Sequence, residues 1–138
     1  MSIRLGRVGL IILVLALTLS TGKAKEGVKA TILTPISAST DAGAVVHVKW
    51  LLADEDDNKP FSACAVFIRL IGPTGEASEA FSECDREAGE GRYSAAPVVP
   101  AGGVGSIEIG IAGTMTDREG NSRRSDWLIP LANNPLAH

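Results

Sequence analysis

At 138 residues the chain has room for one domain, because a chain of this size buries roughly two thirds of its unfolded surface around a single core. Its formal net charge of −3 and its lack of a basic stripe exclude the electrostatic footprint that a nucleic-acid backbone demands.

The first segment in chain order is an address rather than a fold element. Arg4 and Arg7 precede an apolar run, residues 8–17, and small polar residues 18–22 follow it. That is the outline of a secretory signal peptide. The run is shorter than the ~20 residues of a membrane span, and Gly22 and Ala24 are small residues at the positions a signal peptidase prefers. Residues 1–24 are therefore assigned to a signal peptide cleaved near Ala24, with an uncleaved N-terminal anchor as the alternative. Residues 25–138 form a single domain. Removing Arg4, Arg7 and Lys23 from the 13 basic residues leaves 10 against 16 acidic, so the exported part carries −6 and is repelled by anionic lipid. No cysteine near the end of the apolar run offers a point for lipid attachment. A secreted or periplasmic location follows, with no membrane span after cleavage.

From Lys25 onward short runs of strand character are divided by Gly, Pro, Asp and Asn clusters, at the spacing of an all-β sandwich. Seven antiparallel strands are predicted, at about residues 28–36, 44–53, 63–71, 77–84, 92–99, 104–113 and 123–131. Pro35, which has no N–H to donate, places the first at a sheet edge. In the second, Val46, Val48, Trp50 and Leu52 share one face while His47 and Lys49 point away, so Trp50 is the expected central core aromatic.

The acidic turn that follows carries Asp54, Asp56 and Asn58 at the i, i+2, i+4 spacing that opens a calcium loop. The match stops there: Lys59 stands where the loop needs glycine, Ala65 where it needs a bidentate glutamate, and flanking helices are absent. A solvated turn is the preferred reading, and Asp54, Asp56 and Asn58 are only weak metal candidates.

The third and fourth runs flank Gly72-Pro73-Thr74-Gly75. A three-residue hairpin loop with Gly75 at positive φ sets Phe67 opposite Phe81, Arg69 opposite Glu79, Ile71 opposite Ala77 and Cys64 opposite Cys84. An aromatic pair, an ion pair and a cysteine pair thus follow from one turn. Directly opposed residues are close enough for a disulfide, and an exported chain meets oxidising conditions. A structural disulfide Cys64–Cys84 is expected, two buried thiols being the alternative. Arg69 and Glu79 mark the phenylalanine side as the outer face, so Phe67 and Phe81 are a candidate interaction surface. Cover by the C-terminal tail or by the loop 114–122 is the competing expectation.

Tyr93 in the fifth run is read as a corner tyrosine bonded to backbone. Ile107, Ile109 and Ile111 make the sixth run a core strand. For the last two runs, a register with Ile109 opposite Trp127 and Ile107 opposite Ile129 satisfies the pattern, and the tail from Ala132 is expected to fray.

The strand ending Trp50-Leu51-Leu52, the acidic turn before Pro60, the run ending Leu70-Ile71-Gly72, then Gly91-Arg92-Tyr93 and Pro100-Ala101-Gly102-Gly103, together resemble bacterial immunoglobulin-like and fibronectin-like sandwiches. Among these the chain is most similar to YtkA-like domains. The resemblance spans most of residues 28–113 and implies an immunoglobulin-like fold. Because such modules are sometimes found beside copper-handling systems, it also implies an extracytoplasmic metal-binding accessory role, for which His47, Met115 and His138 are the available soft or imidazole ligands.

An enzyme is not expected, because no serine or cysteine stands with a base: His47 is on an outer face and His138 at the terminus. No cofactor is implied. The preferred reading is an exported, non-catalytic binding or structural module with an unknown protein or envelope partner.

Overall fold

The computed structural model describes residues 23–84 and 89–137, so the signal-peptide assignment and His138 lie outside them except at Lys23 and Ala24. The chain is all-β. Its strands are β1 (Lys23–Ala24), β2 (Val28–Ile32), β3 (Ile36–Ser37), β4 (Val48–Asp54), β5 (Val66–Ile71), β6 (Ala77–Phe81), β7 (Arg92–Ala95), β8 (Ser106–Thr116), β9 (Ser122–Ile129) and β10 (Leu136–Ala137). They form a five-stranded sheet in the order β1-β9-β8-β5-β6, a three-stranded sheet β2-β4-β7, and a small pair β10-β3.

The two larger sheets face each other as a sandwich, because each has one apolar face and water would otherwise meet both. Val48, Trp50 and Leu52 of β4, with Tyr93 of β7, meet Val66, Ile68 and Leu70 of β5 and Ile107, Ile109 and Ile129 in one buried cluster. Trp50 is the largest fully buried side chain, as its place on the inner face of β4 predicts, and stacks on Tyr93 with ring centroids 6.1 Å apart. The tyrosine hydroxyl donates to the Phe61 carbonyl and accepts from the Ala63 N–H, 2.9 Å each, so its backbone partners come from the loop before β5. Burial raises the Tyr93 pKa against the lowering effect of the Ala63 bond.

The β5–β6 hairpin has the predicted register residue for residue, Phe67 with Phe81, Arg69 with Glu79 and Ile71 with Ala77, with Gly75 at φ 93°. Beyond it Cys64 and Cys84 are joined in a disulfide, Cα atoms 5.0 Å apart. The β8–β9 register differs from expectation by two residues: Ile109 meets Ile129 and Ile111 meets Trp127. The cause is the turn. The Asp117 carboxylate accepts the N–H groups of Glu119 and Asn121, and Gly120 takes φ 86°. This closes a tight loop 117–121 and leaves Thr114–Thr116, read from sequence as loop, in the strand. A slip of two keeps every side chain on its face.

Two further boundaries moved for backbone reasons. The first run ends at Ile32 because Pro35 cannot donate to a ladder, and β3 forms separately beside β10. The third begins at Val66 because Ala65 lies at φ 59°. That conformation costs an L residue ~1 kcal/mol or more, so Ala65→Gly is expected to raise the unfolding free energy by about 0.5 kcal/mol after the entropy glycine adds to the unfolded chain. A lower urea midpoint for the variant would show that the Ala65 methyl contributes more than its backbone costs.

The tail does not fray as its composition suggested. Ala30 donates to the Pro130 carbonyl and accepts from Ala132, and the Asn133 side chain brackets Ile32, accepting its N–H at 3.1 Å and donating to its carbonyl at 2.9 Å. The open edge of β2 offers unpaired N–H and C=O groups, and a carboxamide copies the pairing of a missing strand. On the same side of the fold, Lys23 and Ala24 pair in parallel with Trp127 and Leu128.

Candidate functional site

The outer face of the five-stranded sheet collects charge around one aromatic ring. Strand alternation sends Val66, Ile68 and Leu70 inward and leaves Phe67 and Arg69 facing out. Arg69 is nonetheless only 7% exposed. Its guanidinium donates to Glu79 on β6, Glu108 on β8 and Asp126 on β9, each at 2.8 Å, and so spans four strands. Arg124 completes the arrangement. Its Nε donates to Asp126 at 2.6 Å, and its two terminal nitrogens engage both oxygens of Glu79 at 2.7 and 2.8 Å.

Arg69, Glu79, Arg124 and Asp126 thus form a closed circuit of alternating charge, with Glu108 attached to Arg69. Bidentate arginine–carboxylate geometry makes these bonds stronger than isolated surface pairs. Hydrogen bonding by Arg124, then by Arg69, outweighs burial and holds the Glu79 carboxyl below its ordinary range. For Asp126, burial alone would raise the pKa, but bonds from Arg124 and Arg69 prevail and lower it. Arg69 resists the downward effect of its own burial through its three carboxylates, and Arg124 is raised chiefly by Glu79.

Phe67 lies beneath this circuit. Its ring carries the Arg69 guanidinium 4.8 Å from the centroid and that of Arg124 at 5.0 Å, and Phe81 tilts against it at 5.8 Å. Phe67 is therefore fully buried on the outer face, which removes it from the expected interaction surface; the arginines and Phe81 cover it, not the tail or the 114–122 loop. Phe81 stays 48% exposed. The opposite neighbour of Phe67 is Gly110, where an added Cβ would fall 2.5 Å from the Phe67 Cζ and 2.9 Å from the Trp127 carbonyl. Gly110→Ala is thus expected to lower stability by about 2 kcal/mol through overpacking. A melt within a degree of the parent chain would mean that the ring has another place to go.

Phe81 also borders a cleft of ≈ 380 Å³ between the edge of β6 and the edge of β7, lined by His47, Lys49, Ser82, Glu83, Arg92 and Ser94 among others. The two edges are sewn together by serines rather than by a ladder: Ser82 Oγ accepts the Ser94 N–H and Ser78 Oγ accepts the Val98 N–H, both at 3.2 Å. These bonds satisfy edge donors and keep the cleft wall in place. Comparison with models of known protein families and with curated proteins finds no match for this chain.

Of the remaining sequence candidates, His47 lines the cleft, and the acidic turn and Met115 lie apart from it. In the acidic turn Asp54 N–H pairs with the Lys59 carbonyl, Asn58 N–H with the Asp54 carbonyl, and Lys59 N–H with the Asp57 carboxylate, while Asn58 takes φ 61°. These are the bonds of a closed turn. Asp56 and Asn58 are exposed, and among the described residues no group of three or more His, Cys, Asp or Glu is placed to hold a metal ion. His47 precedes β4 on the outer face of the three-stranded sheet, whereas Met115 lies near the far end of β8. The sequence reading missed Arg124 and Asp126. Their signal was the outward positions on β9 that alternate with Ser125, Trp127 and Ile129, and it becomes visible only when β9 is placed beside β8.

Proposed function

We propose that this chain is an exported, non-catalytic β-sandwich module that acts by binding a protein or envelope partner through its surface. The observation that carries the reading is Phe81, an aromatic half in solvent on a hairpin held by a register-matched disulfide and bordering a polar cleft. A rigid scaffold presenting an exposed aromatic beside hydrogen-bonding groups is the anatomy of a contact site. The groups that could serve chemistry are committed to structure: Tyr93 to the backbone before β5, and Glu79 and Asp126 to two arginines. The disulfide is compatible with an oxidising compartment. Among the described residues no helix is long and apolar enough to cross a membrane. The resemblance to YtkA-like and other immunoglobulin-like exported modules supports the same reading.

Cell fractionation of the full chain, with thiol alkylation before lysis, tests it. The expected result is an extracytoplasmic protein with no alkylatable thiol, recovered with a partner that Phe81→Ser no longer retains. A cytoplasmic chain with both cysteines alkylated would refute the export reading.

A further inference from the structure

The outer face of the three-stranded sheet carries exposed aliphatic groups and cations. Its rows follow from the strand registers. Thr31, Leu51 and Arg92 form one row, Leu33, Lys49 and Ser94 the next, then His47 beside Ala96, and finally Val45 beside Val98. Cations and apolar groups alternate along these rows, and no carboxylate stands on them. Leu33, Val45 and Val98 are 52%, 55% and 45% exposed, and with Phe81 across the β7 edge they make up most of the exposed large apolar side chains among the described residues.

Two recesses open at the margins of these rows. One is the ≈ 380 Å³ cleft that Phe81 borders, and the other, ≈ 280 Å³, lies among Leu33, Lys49, Leu51 and Arg92. Lys49 and Arg92 line both. Among the described residues two acidic groups approach from the periphery, Glu83 in the first recess and Glu90 at 3.8 Å from Arg92.

We propose that this face docks an acidic, partly apolar peptide segment of a protein partner, its carboxylates on Lys49 and Arg92 and its apolar side chains in the two recesses. The proposal rests on the binding-module reading above and names the partner's chemistry. Charge complementarity carries it: the exported part is acidic overall, yet the rows from Thr31, Leu51 and Arg92 to Val45 and Val98 hold two cations among exposed aliphatic groups and no carboxylate. A clustered apolar patch with interleaved cations is a cost in water unless something covers it. Recesses that accept side chains fit a peptide better than a lipid surface, which needs protruding apolar groups and meets a net negative domain.

The test is amide shift mapping on the protein purified from the compartment where it accumulates. The probes are acetyl-Asp-Phe-Glu-Leu-Asp-amide, its Lys-Phe-Lys-Leu-Lys counterpart, and vesicles of phosphatidylglycerol. The acidic peptide is expected to shift Leu33, Lys49, Ser94 and Phe81, and the basic one to leave them unmoved. Lys49→Glu and Arg92→Glu should each weaken binding about tenfold, as should raising salt from about 50 to about 500 mM. Arg118→Glu, in the β8–β9 turn, should bind as the parent does. Equal binding of both peptides, shifts confined to the Arg124 region, indifference to the charge reversals, association with vesicles alone, or no shift at millimolar peptide would each overturn the proposal. None of these outcomes bears on the fractionation result, so failure of the export reading and failure of this face are told apart.

Discussion

Replacing Arg69 with alanine is expected to lower the unfolding free energy by about 3 kcal/mol, the cost of leaving buried charge without its partner. The substitution removes a 2.8 Å bond from each of Glu79, Glu108 and Asp126 and leaves Arg124 to hold Glu79 and Asp126. It also uncovers one side of the Phe67 ring. Urea denaturation at neutral pH reads the effect. The pH dependence identifies its origin. In the parent chain Glu79 and Asp126 have folded pKa values below their unfolded ones. Their contribution is therefore fully present above the unfolded carboxylate pKa of about 4 and is lost as pH falls through the depressed folded values. Without Arg69 those folded values rise, so the variant loses less in acid and the gap between the two proteins should narrow below about pH 4. A gap constant from pH 7 to pH 3 would assign the loss to packing on Phe67 rather than to charge.

Reduction of Cys64–Cys84 is the second large effect. The bond closes a loop of sequence separation 20, and the loss of that constraint on the unfolded chain corresponds to about 3 kcal/mol. For a domain of this size the melting temperature should fall by about 10 °C. Cys64→Ala with Cys84→Ala should reproduce the fall and make the chain insensitive to reductant. The sheet itself should survive, because the β5–β6 ladder and the pairing of β5 with β8 do not depend on the bridge. A reduced protein that melts with the parent would show that hairpin pairing already restricts the unfolded ensemble.

The two effects concern opposite ends of one hairpin, and they were not equally visible beforehand. The disulfide, the Phe67–Phe81 pair and the Arg69–Glu79 pair are cross-strand neighbours within a few residues of a compact Pro-Gly turn. Turn chemistry sets such a register locally, so reading the chain in order finds it. The other two partners of Arg69 come from β8 and β9, at sequence separations of 39 and 57. No local rule places them. The missed β8–β9 register shows the same limit at short range, since the Asp117 carboxylate moved the turn into what composition marked as the middle of a loop.

Burial of Phe67 is the clearest case of tertiary override. Alternation placed it correctly on the outer face with Arg69, and from there exposure was the natural inference. Its actual cover is a pair of guanidinium groups held by carboxylates, with Phe81 beside it, while the absence of a side chain at Gly110 makes room for the ring itself. Long cationic side chains can shield apolar surface while their charges stay paired, and a single sequence does not say which arginine will do so.

Sequence alone determined the sandwich class, the inward faces of β4, β5 and β8, Trp50 as the core aromatic and the disulfide-closed hairpin, because period-two burial, turn residues and a short cysteine separation are local properties. Only the tertiary structure decided which strands became neighbours, that the tail laces the β2 edge, that Phe67 is roofed and Phe81 is not, and that Lys49 and Arg92 gather with exposed aliphatic groups over β2, β4 and β7. Each of those depends on residues distant in sequence meeting across a sheet, and strand order is set by the packing of the whole core.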